Sequence, residues 1–534
     1  MRRLSPLLAL LALAAWGAAG ASAAPAGWVV GAEGAFARAL ERELRAEGTA
    51  VRRIPRLGAL EVRGAPAGAL RGAPGVAYVE PVRERRLLAE PGDAVDPGTG
   101  RPFTWALDAV RAGAALAILP GGAPDVPVAV VDSGVDAGHP DLAGRVRPGR
   151  DIVGDGTTAD LAGHGTFVAA LVSGIDGNGA GGRGVAGATP IIPVRVTVGG
   201  SISSADLAAG IVAAVDAGAR VVNLSLGGPG FSELERSAID YALARDVVVV
   251  ASAGNEGDAG NPVIYPAAYV GGEDGGWGPG LSVAATDPLD RPVAFSTSNR
   301  FVTVAAPGAG LECGDGVYSA IPVGAASLWP GQCAPVFAAP AHGPGRYAYG
   351  EGTSFSAPLV AGTAALVRQA RPSLRAEQVA HVVRRTARQT VGAGWNPRTG
   401  AGVLDAGAAV ALARRYDTLP PEIAATAEPV PGGVRLRASA PDRAGQGDEL
   451  AGGVTLTVAR SDDGIVFAPL PAAGGGPVDV TVPAAPGERR WFRITACDAN
   501  RNCAERAAGP AGPGAASSVA RRPAALRARI LAFG

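Results

Sequence analysis

Four short runs constrain this chain more than any other feature: VPVAVVDSGV (126–135), ARVVNLSLGG (219–228), VVVVASAGN (247–255) and LSVAATD (281–287). They are apolar and rich in β-branched residues, with no polar residue at every second place. A strand with one wet face alternates. A strand that does not alternate must be buried on both faces, as in a parallel sheet covered by helices. Helical stretches lie between them, SADLAAGIVAAVDAGA (204–219) and ELERSAIDYALARD (233–246). Each opens on a capping box, Ser203 with Asp206 and Ser232 with Glu235. The expectation is an α/β fold with a doubly wound, mainly parallel sheet from about Pro102 to Arg415. Its ligands would bind beyond the carboxyl ends of the strands, so the polar residues that end these runs matter most.

With 534 residues the chain exceeds one ordinary domain. Residues 1–23 read as a secretory signal: Arg2 and Arg3, an apolar stretch from Leu7 to Trp16, then Ala21-Ser22-Ala23. That stretch is shorter than the roughly 20 apolar residues a membrane span needs. A secreted, extracellular protein of bacterial type is expected. Residues 24–92 show a βαββαβ order suited to a small α+β unit, followed by an Arg-rich, then Pro/Gly-rich stretch fit for cleavage. The α/β unit takes 93–417. Alternating runs such as GVRLRASA and RRWFRITAC, separated by Gly/Pro turns, predict an all-β sandwich at 418–507, and 508–534 a flexible tail. The formal net charge is zero, which gives no basis for nucleic-acid binding or attraction to anionic membranes. Outside the cytoplasm four cysteines predict two disulfides between neighbours, Cys313–Cys333 and Cys497–Cys503.

The chemistry converges on three strand or helix ends. Asp132 closes the first buried run. His164 opens an apolar helix in GHGTFVAALVSG, unlike His139, His342 and His381, which sit in a loop, an insertion and a helix interior. Ser354 opens another apolar helix in GEGTSFSAPLVAG. As a helix N-cap Ser354 would be unremarkable chemistry. Beside a base it becomes a nucleophile.

These stretches, in the order Asp, His, Ser over roughly Trp105 to Ala413, resemble the motif set of the subtilisin-like serine peptidases, the subtilases. The resemblance implies a serine endopeptidase in which Ser354 attacks the peptide carbonyl, His164 moves the proton and Asp132 orients the imidazole, through an acyl-enzyme. Asn255 matches the oxyanion-hole asparagine. Ser225, Leu226 and Gly227 match the substrate-strand edge, with Ala253, Gly254 and Ile264 lining the first specificity pocket. Ile264 at the pocket base predicts cleavage after small or medium apolar residues. No cofactor is expected for catalysis. A structural calcium ion would use Asp141, Asp176 and Asn178, although IDGNGAGGRG is equally a plain Gly/Asn loop. The amino-terminal unit resembles the family's inhibitory propeptides, which makes the chain an autoprocessed zymogen inhibited by its own VAYVEPVRERRL segment. The carboxyl-terminal unit resembles fibronectin-type or immunoglobulin-like modules. Partners would be polypeptide substrates and the propeptide, the protein itself a monomer.

Two departures stand out: HGTFVAA for the usual HGTHVAG, and GTSFS for GTSMA. Met1 is the sole methionine, so the mature chain would lack an oxidisable methionine beside the nucleophile. A catalytically degenerate fold displaying the sandwich as a binding surface would have lost a catalytic residue, and all four are present. A lipase or esterase would need a G-x-S-x-G elbow and the order Ser, Asp, His, which the chain lacks.

Overall fold

The computed structural model describes residues 27–87 and 104–511, apart from 33, 72, 179–180, 199, 277, 312–315, 323–345, 390–393, 446–447, 450 and 471–475. The expected signal, the cleavable stretch after Leu87, the Cys313–Cys333 pair and His342 lie outside the described residues.

The apolar runs form one parallel sheet of seven strands. Its order is Val304–Pro307, Leu281–Thr286, Val248–Ser252, Val221–Leu224, Val128–Asp132, Ile191–Arg195, Arg150–Asp151. Every residue of Val128–Asp132, Val221–Leu224 and Val248–Ser252 is buried. Helices Ser204–Asp216 and Glu233–Leu243 cover one face, while His164–Ser173 and Thr353–Ala370 pack against each other on the opposite face. Both capping serines accept their expected bonds, Ser203 from the Asp206 N–H at 3.0 Å and Ser232 from the Glu235 N–H at 3.3 Å. The chain enters the sheet at Val128–Asp132, builds outward to one edge, then returns to place Val221–Leu224 on its other side. This reversal opens a crevice at the carboxyl ends of the two strands.

Residues 27–81 build a four-stranded antiparallel sheet, ordered Ala50–Ile54, Ala59–Arg63, Trp28–Ala32, Val76–Pro81, with helices Gly34–Ala46 and Ala67–Arg71. It packs on the helix side of the α/β unit. The Glu80 carboxylate accepts from Ser232 Oγ at 2.7 Å and from the N–H groups of Glu233 at 2.7 Å and Leu234 at 3.1 Å, capping that helix from outside its own chain segment. Arg52 bridges Glu61 and Asp206, each at 2.6 Å.

From Ala424 onward two antiparallel sheets face each other across Val434, Leu436, Leu456, Val458, Phe492 and Ile494. The last strand, Cys503–Ala511, runs past the expected end at 507, because Ala511 still pairs with Arg490. Cys497 and Cys503 are bonded across the hairpin. No helix among the described residues is long and apolar enough to cross a membrane.

Candidate active site

Asp132 ends its strand inside the crevice, fully buried. A buried carboxylate needs partners. Its oxygens lie 2.8 and 3.0 Å from His164 Nδ1, and Oδ1 also accepts the Ser133 N–H at 2.7 Å. His164 is the first residue of its helix and is itself buried. Because Asp132 holds Nδ1, the free lone pair of a neutral ring is on Nε2, which is buried without a hydrogen-bond partner.

Ser354 is the second residue of helix Thr353–Ala370. Its hydroxyl donates to the Ser225 carbonyl at 2.9 Å, while Ser225 Oγ donates back to the Ser354 carbonyl at 2.7 Å and accepts from Asn223 Nδ2 at 2.9 Å. This reciprocal pair fixes the helix start to the end of strand Val221–Leu224. The Asn255 amide oxygen accepts from Thr353 N–H at 3.0 Å and Thr353 Oγ1 at 2.9 Å. With its oxygen engaged, the side chain is oriented as a donor through its NH2 end.

The predicted substrate-binding residues also meet. Gly254 adopts φ 114°, a conformation that favours glycine, and a Cβ there would stand 2.6 Å from Ile264 Cγ1. Ile264 is buried in a short strand pairing Ile264–Tyr265 with Gly228–Pro229. The other side of Leu226–Pro229 is already occupied. Strand Glu84–Leu87 lies antiparallel to it, Leu87 opposite Leu226 and Arg86 opposite Gly227, and reaches Ser201–Ser203 on its far side. This strand ends the VAYVEPVRERRL segment, which the family resemblance implied would cover the site. The four-stranded sheet it completes was not predicted.

Two residues escaped the sequence reading. Asp160 accepts from Gly163 N–H at 2.7 Å, Thr166 N–H at 2.8 Å, Thr166 Oγ1 at 2.6 Å and Ser133 Oγ at 2.8 Å. It caps the His164 helix and ties it to the residue after Asp132. Burial pushes its carboxyl above the usual range, against the pull of those hydrogen bonds. The signal was present as an Asp just before the helix start. Thr353, which orients Asn255, was the middle letter of Gly-Thr-Ser.

The two departures from the family motifs touch. Phe167 and Phe355 stack with centroids 4.2 Å apart, and the Phe355 ring tilts over His164 at 5.6 Å. A Cβ at Gly350 would come within 2.3 Å of the Phe355 ring, so glycine there makes the room. Such an aromatic pair contributes about 0.5–1.5 kcal/mol beyond its buried area.

Of the expected calcium set, Asp141 and Asn178 come together and Asp176 does not. Asn178 Nδ2 donates to Asp141 Oδ1 at 2.9 Å and the Gly182 N–H approaches Oδ2 at 3.3 Å. Asp176 is 72% exposed and lies 3.8 Å from Arg183 instead. Burial raises the Asp141 carboxyl, opposed by the Asn178 hydrogen bond.

A buried carboxylate–imidazole pair, a serine opening a helix, and an amide donor, all on the crevice of a doubly wound sheet, make up the constellation that serine peptidases use. The profile of the subtilase family matches residues 124–402, and the chain belongs to that family. It is 34% identical to fervidolysin of Fervidobacterium pennivorans over 370 residues, 63% of this chain and 50% of that one. It is 36% identical to the thermophilic serine proteinase of Bacillus sp. strain AK1 over 45% of this chain and 51% of that one. With thermitase of Thermoactinomyces vulgaris it shares 36% identity over 45% of this chain and 74% of that one. The chain thus spans about half the length of the first two relatives. The crystal structure of fervidolysin, described as a keratinolytic enzyme related to subtilisin, superposes with a TM-score of 0.60 at 24% identity, covering 89% of this chain and 70% of that one. That likeness speaks to the fold.

Proposed function

We propose that this chain is a secreted serine endopeptidase, made as a zymogen whose amino-terminal unit inhibits it and is removed by its own activity. The observation that carries this reading is the buried Asp132–His164 pair, with Nε2 left as the available base, on the same crevice as Ser354 and Asn255. For attack, the Ser354 hydroxyl leaves the Ser225 carbonyl and turns to Nε2, which takes its proton as the oxygen adds to the substrate carbonyl. Asp132 stabilises the resulting imidazolium. Asn255 and the backbone N–H at the start of the Ser354 helix receive the oxyanion. No metal or organic cofactor enters these steps.

An extended substrate would take the place now held by Glu84–Leu87 on the Leu226–Pro229 edge, its main chain supplying affinity and alternate side chains specificity. This supports reading residues 24–92 as propeptide and the stretch after Leu87 as its cleavage region. Mass spectrometry of peptides released from a denatured protein mixture tests the activity and its preference together. With Ile264 packed on Gly254, cuts should fall after small or medium apolar residues. A dominant preference for Phe, Tyr or Arg at the cleaved position would refute the pocket assignment, and no cleavage at all would refute the peptidase.

Asn255→Ala should lower kcat by about 10²–10³-fold with KM little changed, because the amide acts on charge that exists only in the transition state. Steady-state kinetics on a peptide substrate measure it, and a loss confined to KM would show that Asn255 serves substrate binding instead.

A further inference from the structure

Far from the crevice, where the α/β unit passes into the sandwich, three carboxylates meet. Asp417 follows helix Ala406–Ala413, Asp442 lies in a sandwich loop, and Asp498 begins the turn closed by the Cys497–Cys503 bond. One oxygen from each lies within 4.8 Å of the others. Oxygens that share one calcium ion at about 2.4 Å are separated by no more than about 4.8 Å, and these three meet that condition pairwise. Among the described residues none of the three makes an ion pair. The arginines around them are committed elsewhere, Arg371 to Asp448 at 2.8 Å and Arg415 to Glu449 at 3.0 Å.

A second observation points to a ligand. Asp417 is fully buried; its Oδ1 accepts the Leu419 N–H at 3.0 Å and the Ala451 N–H also points at the carboxylate, yet its buried Oδ2 makes no hydrogen bond of normal geometry. An orphaned carboxylate oxygen is costly to bury, more so beside two further carboxylates. The surrounding groups position it firmly. Asn500 and Asn502 donate to the Asp417 carbonyl at 3.2 and 3.0 Å, Asn502 donates its N–H and its Nδ2 to the Asp498 carboxylate at 2.9 and 2.8 Å, and Gly452 N–H donates to Asp442 Oδ2 at 2.6 Å. Gln378 of the α/β unit reaches across to Asn502 Oδ1 at 2.7 Å. Three loops are thus held with their acids converging and no protein cation between them.

We propose that Asp417, Asp442 and Asp498 form a calcium site that fastens the carboxyl-terminal sandwich to the peptidase unit. All donors are hard oxygens, with neither histidine nor cysteine, which favours calcium over zinc. This site is independent of the proposed catalysis.

The full chain carrying Ser354→Ala, used to avoid self-digestion, provides the test, with Ca²⁺ as the probe. Equilibrium dialysis should show one calcium fewer in Asp442→Asn and in Asp498→Asn than in the parent, or that equivalent bound about tenfold or more weakly. Thermal melts should show a crossing. In a calcium chelator Asp442→Asn melts at or above the parent, because it relieves like-charge repulsion, whereas in millimolar calcium it melts below. Equal calcium stoichiometry and affinity in parent and variants overturns the site. If both variants fail to fold, a Tb³⁺ soak of the crystallised parent decides: an anomalous peak among the three carboxylates supports the proposal, and its absence refutes it.

Discussion

Ser354→Ala is expected to leave a folded protein that no longer matures. The substitution deletes one hydrogen bond, from the hydroxyl to the Ser225 carbonyl, and the reciprocal bond from Ser225 Oγ to the Ser354 carbonyl remains. One such bond is worth about 1 kcal/mol, a few degrees of melting temperature at most. The chemistry loses its nucleophile, and kcat should fall roughly 10⁶-fold, to the residual rate that binding and oxyanion stabilisation alone support. If the stretch after Leu87 is cut by the enzyme itself, the variant accumulates as a precursor that keeps the 27–81 unit. Gel mobility and N-terminal sequencing, in a host without other extracellular proteases, read the result directly. Maturation at the wild-type rate would mean that Ser354 only ties the start of its helix to Ser225.

Asp132→Asn is the second large effect, and it separates orientation from nucleophilicity. Asp132 accepts from both His164 Nδ1 and the Ser133 N–H. An asparagine matches its shape but has one oxygen. If that oxygen keeps the Ser133 N–H, the NH2 end faces Nδ1, which must then accept. The imidazole proton moves to Nε2, and the ring can no longer act as a base toward Ser354. A loss of about 10⁴-fold in kcat is expected, with KM and melting temperature nearly unchanged. A loss below tenfold would show that His164 is oriented by something other than Asp132.

The parallel sheet was legible from its unalternating runs, and the reactive residues from their places at element ends: Asp132 and Asn255 where such runs close, His164 and Ser354 where apolar helices open. The roles of Asp132, His164, Ser354 and above all Asn255 came from the resemblance of their motifs to the family, not from that rule. What remained hidden depended on contacts between separated segments. Phe167 and Phe355 were visible as two unrelated departures, and nothing in either motif says that they stack. Asp160 was hidden among loop residues because its five donors are mostly backbone N–H groups and hydroxyls, which leave little trace in side-chain type. Asp176 was misplaced for the opposite reason: an acidic residue in a Gly/Asn loop matches a ligand pattern, yet only tertiary structure decides whether it turns inward. The Asp417, Asp442 and Asp498 cluster spans three loops and has no local signature at all.

The strand Glu84–Leu87 belongs to the same polypeptide as the edge it covers. While the chain is intact, its local concentration at that edge is of the millimolar order typical of a short tether, whatever the protein concentration. If the stretch after Leu87 is cut, the same contacts hold an ordinary bimolecular complex, and occupancy becomes a matter of dilution. A pairing that is nearly saturated inside a crowded secretory path would then empty in a large extracellular volume without any change in its contacts. The fold would read its own surroundings through mass action, with onset of activity set by the volume into which the protein is released.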